Sequence, residues 1–124
     1  KNREPVEINP IDAENRGLKN GDIVKLFNDR GACLAGVIIE KKVMPGVAQI
    51  STGAWYDPQY PNKPNSICKH GNPNVLTRDE GTSKLGQGPI AHSCLVEIES
   101  YNDKLPEVTA HEPPAIIRLD GSLN

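Results

Sequence analysis

The sequence predicts a mainly β fold: a compact, closed barrel of short strands with short helices and one long loop. Three observations lead there. Short runs rich in β-branched residues recur between turn signals, at residues 23–27, 33–39, 47–51 and 94–99. Glycine and proline occupy 11 positions each, which favours turns over long helices. Aromatic residues make up only 4% of the chain, so its small core gains from an architecture that removes strand edges. The 124 residues correspond to one domain.

A brief strand at residues 6–8 opens the fold. Asn9 then caps a short helix with Pro10 at its first position, where a missing N–H costs nothing. Asp12 and Glu14 sit where the helix dipole favours acids, and Arg16 where it favours a base. Gly17 suits the left-handed residue that stops the helix, and Asn20-Gly21 makes a tight turn. Residues 23–27 (IVKLF) and 33–39 (CLAGVII) flank the loop 28–31, which ends on glycine, and so read as a hairpin. The second run does not alternate polar with apolar, so it is expected to be buried on both faces. Met44-Pro45-Gly46 is a turn with Pro and Gly in type II order. Residues 94–99 (CLVEIE) alternate, with Cys94, Val96 and Ile98 on one face. A last strand at 116–119 is expected to close the fold. Residues 52–89 lack periodicity and carry Trp55, Tyr56, Tyr60 and five prolines. A loop of that length inside one domain is usually functional.

The net charge is −2, so the basic footprint of nucleic-acid binding is missing. No apolar run reaches the length of a membrane span. The three cysteines, Cys33, Cys68 and Cys94, are an odd count and make no disulfide framework. No charged-then-apolar leader opens the chain at Lys1.

The second half of the long loop holds the residues able to carry chemistry. In HGNPN, residues 70–74, Asn72 and Asn74 each offer an amide donor pair and an acceptor, groups suited to the edges of purines and pterins. The competing reading is Asx-turn chemistry around Pro73. In EGTSKLGQG, residues 80–88, Gly81, Thr82 and Ser83 could present backbone N–H groups and hydroxyls to a phosphate at the start of a short helix, with Lys84 adding charge. The alternative there is a cap on a one-turn helix. Cys68-x-His70 and His92-x-Cys94 form a mirrored pair that could hold zinc, although standard zinc motifs use wider spacings. Free Cys94 also suits a core position. Trp55-Tyr56 is expected to pack rather than to stack on a ligand, and His111 to be a solvated surface group. No catalytic triad assembles, and the neighbouring carboxylates Asp79 and Glu80 do not form an acid/base pair.

Three segments together resemble a known family: EPVEINPIDAENRGLKNGDIVKLFNDRG (4–31), PGVAQISTGAWYDP (45–58) and HGNPNVLTRDEGTSKLGQG (70–88). They are similar to the C-terminal domain of the dimethyl-sulfoxide-reductase family of molybdopterin oxidoreductases. Within it they resemble the subgroup that reduces trimethylamine N-oxide, biotin sulfoxide and other S- or N-oxides. The resemblance runs from residue 4 to residue 99 in order. It implies a double-psi β-barrel over residues 4–100, followed by a C-terminal tail, 101–124. It also implies the cofactor bis(molybdopterin guanine dinucleotide)molybdenum, bound here but ligated to the metal from elsewhere. Carried over by motif, Asn74 resembles a cofactor contact, as do Ala91 and His92, largely through backbone groups. Thr82, Ser83 and Gln87 rank below them. The family usually places another cofactor-binding stretch before the EPVEINP segment, and this chain does not include it. Gly86 and Pro89 also depart from the family pattern.

The resemblance implies one part of a larger reductase that removes oxygen from S- or N-oxides and is re-reduced by a redox partner. The fragment alone would be inactive, and the parent periplasmic, with a cytoplasmic location as the alternative. Two readings from other classes stand beside it. One is a small zinc-stabilised structural module. The other is a self-processing barrel decarboxylase, which the position of the sole Gly-Ser, Gly121-Ser122, disfavours.

Overall fold

The computed structural model describes residues 3–88 and 93–113. One mixed five-stranded sheet dominates, with strand order β4-β1-β3-β2-β5. The strands are β1 (Pro5–Ile8), β2 (Ile23–Asn28), β3 (Gly31–Ile39), β4 (Ala48–Ile50) and β5 (Glu97–Ser100). Helix α1 (Pro10–Asn15) follows β1, and a 3-10 turn spans Pro73–Val75. The mainly β expectation holds. The described strands form an open sheet, and the expected closing strand at 116–119 lies outside the described residues.

β2 and β3 form the expected hairpin, paired from Ile23↔Gly36 to Asn28↔Gly31. Asp29 and Arg30 make its tip, and the Asn28 side-chain oxygen accepts the Arg30 N–H at 2.9 Å. β1 runs parallel to the second half of β3, Val6 opposite Val37 and Ile8 opposite Ile39. A parallel neighbour needs a crossover, and α1 with β2 supplies it. The first half of β3 bonds on that same side to the chain at Cys68. The Cys68 N–H donates to Ala32 O at 3.0 Å, and the Leu34 N–H donates to Cys68 O at 2.9 Å. β3 therefore has backbone partners on both sides.

That placement explains the unbroken apolar run. Cys33, Leu34 and Ala35 are fully buried, so both faces of the strand are covered there. The pattern fails at Ile38, which is 41% exposed beyond that stretch. Val6, Ile8, Val24, Leu26, Val37 and Leu76 complete the core, each contributing about 1.5–3 kcal/mol by burial. β5 begins three residues later than the alternating run suggested, at Glu97. Cys94 and Val96 nevertheless pack against the core from the approach to it. Edge strands β4 and β5 line one apolar cleft of about 390 Å³, with Ile8, Leu26, Leu76 and Val96 in its wall. No helix among the described residues is long and apolar enough to cross a membrane.

α1 begins and ends as the sequence indicates. The Asn9 carbonyl oxygen of the side chain accepts the Ile11 N–H at 2.9 Å, Pro10 occupies the first turn, and Gly17 adopts φ +65° after the Arg16 cap. Asn9 does more than cap. Its buried amide Nδ2 donates to Val43 O at 2.8 Å, which ties the helix start to the turn before β4. Asn9→Ala removes both bonds and is expected to lower unfolding stability by about 1–3 kcal/mol in a denaturant titration. Asn9→Asp keeps the cap but sets a carboxylate oxygen against Val43 O in place of the donor, so it too should be less stable than the wild type.

Candidate nucleotide-binding loop

Residues 52–88 cross the molecule with little regular structure, but their backbone is fixed at defined points. Lys69 N–H donates to Asp57 O at 2.8 Å, and Glu4 N–H donates to His70 O at 2.9 Å. Gly71 then passes so close to the start of β1 that a Cβ there would stand 2.8 Å from Glu4 Cβ and 3.0 Å from Leu34 O. Its φ of +95° also excludes a side chain without strain. On the other flank, a Cβ on Gly31 would stand 2.6 Å from Val75 O. The 3-10 turn thus rests directly on the backbone of the hairpin.

The hairpin tip holds the end of this turn by side chains. Asn28 Nδ2 and Arg30 Nε both donate to Leu76 O, at 2.9 and 2.8 Å. Asn28 Nδ2 also reaches Leu95 O at 3.0 Å. Between these anchors, the two asparagines divide their work. Asn72 Oδ1 accepts the Asn74 N–H at 2.9 Å, so Asn72 forms the Asx turn. Asn74 is exposed, and no hydrogen bond joins its carboxamide to another described residue. The Asx-turn reading of HGNPN is therefore realised in Asn72, and the Asn74 carboxamide is left exposed.

The 81–88 segment forms a closed turn instead of the expected start of a helix. Thr82 N–H donates to Gly88 O at 2.7 Å and Gln87 N–H to Ser83 O at 3.2 Å. Ser83 Oγ accepts the Gly86 N–H at 2.8 Å, and Gln87 Nε2 donates to Lys84 O at 3.2 Å. This is cap geometry around a single turn, and Leu85 at its tip is almost wholly exposed. No hydrogen bond among the described residues links this turn to Asn74. Ala91 and His92 lie outside the described residues.

Several expectations need correction. Trp55 and Tyr56 do not pack in the core; they are 64% and 54% exposed. His111 is exposed, as expected of a surface group, but it has ring neighbours. Its ring lies 5.4 Å from that of Trp55 and 5.0 Å, edge to face, from that of His70. The zinc arrangement is not formed among the described residues, where no group of three or more His, Cys, Asp or Glu could hold a metal. Cys68 is buried beside Cys33, and its Sγ accepts the Asp57 N–H at 3.4 Å. His70 Nδ1 lies 3.2 Å from Trp55 O. Burial, with the neighbouring Cys68 and Cys94 thiols adding to it, pushes the Cys33 thiol up to about 12. It is therefore protonated and a poor ligand at neutral pH.

A buried ionic cluster had no signal in the sequence. Asp57 and Lys69 are 6% and 8% exposed, with Lys69 Nζ 3.5 Å from Asp57 Oδ1. Thr109 completes the pair. Its N–H donates to Asp57 Oδ2 and its hydroxyl to Asp57 Oδ1, both at 2.7 Å, while Lys69 Nζ donates to the hydroxyl at 2.9 Å. Burial alone would push the Asp57 carboxyl up. The two Thr109 hydrogen bonds and the Lys69 ammonium outweigh it and hold the group below its ordinary value.

The loop is thus an irregular polar segment laid on a mixed β sheet, with the exposed Asn74 amide among its groups. Comparison with known proteins gives the class. Residues 1–95 match the model of the Molydopterin dinucleotide binding domain, and the chain belongs to that family. The cofactor this membership implies is the molybdopterin guanine dinucleotide. The chain is 55% identical over 113 residues to a trimethylamine-N-oxide reductase of Salmonella typhi, covering 91% of this chain and 13% of that protein. It is 55% identical over 107 residues to trimethylamine-N-oxide reductase 1 of Escherichia coli K12, covering 86% and 13%. A trimethylamine-N-oxide reductase of Vibrio cholerae is 46% identical over 112 residues, covering 90% and 14%. The chain thus spans about one eighth of the length of these relatives.

The residues present suit such a group. A nucleotide base offers donors and acceptors along its ring edge, and the Asn74 carboxamide carries both kinds of partner group. Its backbone is already fixed on either side, so binding need not order the loop.

The Asp57 cluster gives a pH prediction. A carboxylate held below its ordinary value contributes stability above about pH 4 and loses it as the pH falls through the lowered value. Amide exchange at Thr109 should stay slow from neutral pH to about pH 4 and accelerate, beyond its intrinsic pH dependence, in stronger acid. In Asp57→Asn, exchange at Thr109 is expected to be faster at neutral pH and to lose that extra acid response.

Proposed function

We propose that this chain is the cofactor-binding domain of a molybdenum reductase acting on S- or N-oxides, trimethylamine N-oxide foremost. The observation that carries the reading is the exposed Asn74 carboxamide on a loop fixed at both ends, in a chain that matches the dinucleotide-binding family over residues 1–95. Trimethylamine-N-oxide reductases at about 55% identity supply the substrate class. In this reading residues 4–100 form a closed double-psi β-barrel. The common apolar cleft between edge strands β4 and β5 supports closure, because both edges already face one interior. Residues 101–124 are the C-terminal tail.

Asn74 reads the nucleotide by hydrogen bonds from its carboxamide. Thr82, Ser83 and Gln87 contribute from the adjoining turn, and Ala91 and His92 through their backbone groups. The bound group, bis(molybdopterin guanine dinucleotide)molybdenum, supplies the two-electron redox chemistry. The metal ligand comes from another part of the parent chain. This chain's task is to seat the nucleotide and shield it from water. The parent converts an amine oxide or sulfoxide, two electrons and two protons into the amine or sulfide and water. A redox partner delivers the electrons, and the setting is the periplasm, as the resemblance to exported reductases suggests.

Asn74→Ala in the parent enzyme tests this reading. The lost hydrogen bonds should weaken nucleotide retention about tenfold. Molybdenum and guanine nucleotide released per protein after gel filtration measure that loss. The unfolding midpoint of the cofactor-free protein should not move, because the side chain is exposed. Normal cofactor content and normal turnover in the variant would remove Asn74 from the site.

A further inference from the structure

The Thr109 cluster lies where the proposed nucleotide loop begins. Lys69 is followed directly by His70, Gly71, Asn72, Pro73 and Asn74. The stretch 106–111 reaches this point from the far end of the chain, 40 residues away in sequence at Lys69 and 52 at Asp57. It makes contact in three places. Arg3 donates a hydrogen bond to Pro106 O. Thr109 satisfies both carboxylate oxygens of Asp57 and accepts from Lys69. His111 sets its ring against those of His70 and Trp55.

We propose that Thr109 is a positioning residue for the 70–74 loop, acting through the buried Asp57–Lys69 pair, with His111 as a second grip on His70. The inference rests on the nucleotide reading of that loop. In Thr109→Val the backbone N–H still donates to Asp57 Oδ2 and the pair keeps its direct ion contact, but Asp57 Oδ1 loses its hydroxyl donor and Lys69 Nζ its hydroxyl acceptor in a site from which water is largely excluded. The Lys69 ammonium is then held by the ion contact with Asp57 alone. The backbone link from Lys69 N–H to Asp57 O, which sets where residue 70 starts, loses its support. The C-terminal stretch is thus a strap across the first anchor of the loop, while Asn28 and Arg30 hold the last one. The polar groups that read the nucleotide lie between the two.

The test uses the full-length parent enzyme carrying Thr109→Val, Thr109→Ser and His111→Ala. Hydrogen exchange and loss of bound guanine nucleotide on gel filtration are followed in parallel. In Thr109→Val, amides of residues 69–74 should exchange about tenfold faster, while those of residues 31–37 in β3 stay at the wild-type rate. Nucleotide loss should accelerate with them. Thr109→Ser keeps the hydroxyl and should restore both rates, and His111→Ala should give a smaller effect of the same kind without disturbing the buried pair. Unchanged exchange at 69–74 in Thr109→Val overturns the proposal, as does acceleration spread equally over β3, which would mean general destabilisation. Faster exchange at 69–74 with unchanged nucleotide retention upholds the strap and instead removes the nucleotide reading of the loop.

Discussion

The structure depends on β3 bonding along both of its sides while it is covered on both faces. β2 occupies one side from Gly31 to Gly36, and the turn at residues 20–22 continues it to Ile39. The other side is shared by β1 over the second half and by the chain at Cys68 over the first. A strand buried in this way cannot leave amide or carbonyl groups unpaired. An irregular segment has therefore been drawn into the sheet to pair with Ala32 and Leu34. That one requirement brings residues 68–70 to the hairpin and aims the following residues across its tip.

Irregular backbone costs more conformational entropy to hold than a ladder does, so the long loop needs fixing from outside itself. Close approach does part of this work, at Gly71 and at Gly31, where a single added carbon would meet backbone or a packed side chain. Side chains of the hairpin tip do another part by converging on Leu76 O. The buried Asp57–Lys69–Thr109 cluster does the rest. A buried ion pair is weak evidence of stability by itself. Here its value lies in joining three stretches of chain at one point.

Local chemistry was legible in the sequence, and long-range chemistry was not. Asn9-Pro10 with Gly17 gave the helix, and residues 28–31 gave the hairpin, because caps and turns are decided within a few residues. HGNPN showed that asparagine would form a turn and also offer an amide, but not that Asn72 and Asn74 would take one role each. Residues 80–88 read as a helix start because Thr and Ser cap helices; Ser83 does cap a single turn, and the bond from Thr82 N–H to Gly88 O closes the segment there. Trp55 was misread as core because scarce aromatics usually carry burial, whereas here valine, leucine and isoleucine fill the interior. The Asp57–Lys69–Thr109 cluster had no local signature, since its members meet only through the tertiary fold. Family motifs supplied what spacing could not: the cofactor class.

The central claim is that residues 70–76 form the surface on which the pterin nucleotide rests. Hydrogen exchange of the parent enzyme, compared with and without its molybdopterin guanine dinucleotide, tests it most directly. The account predicts that amides of residues 70–76 are protected by the cofactor, while those of β2 and β3 are unchanged. Protection confined to other parts of the parent chain, with residues 70–76 exchanging at one rate in both states, would contradict it.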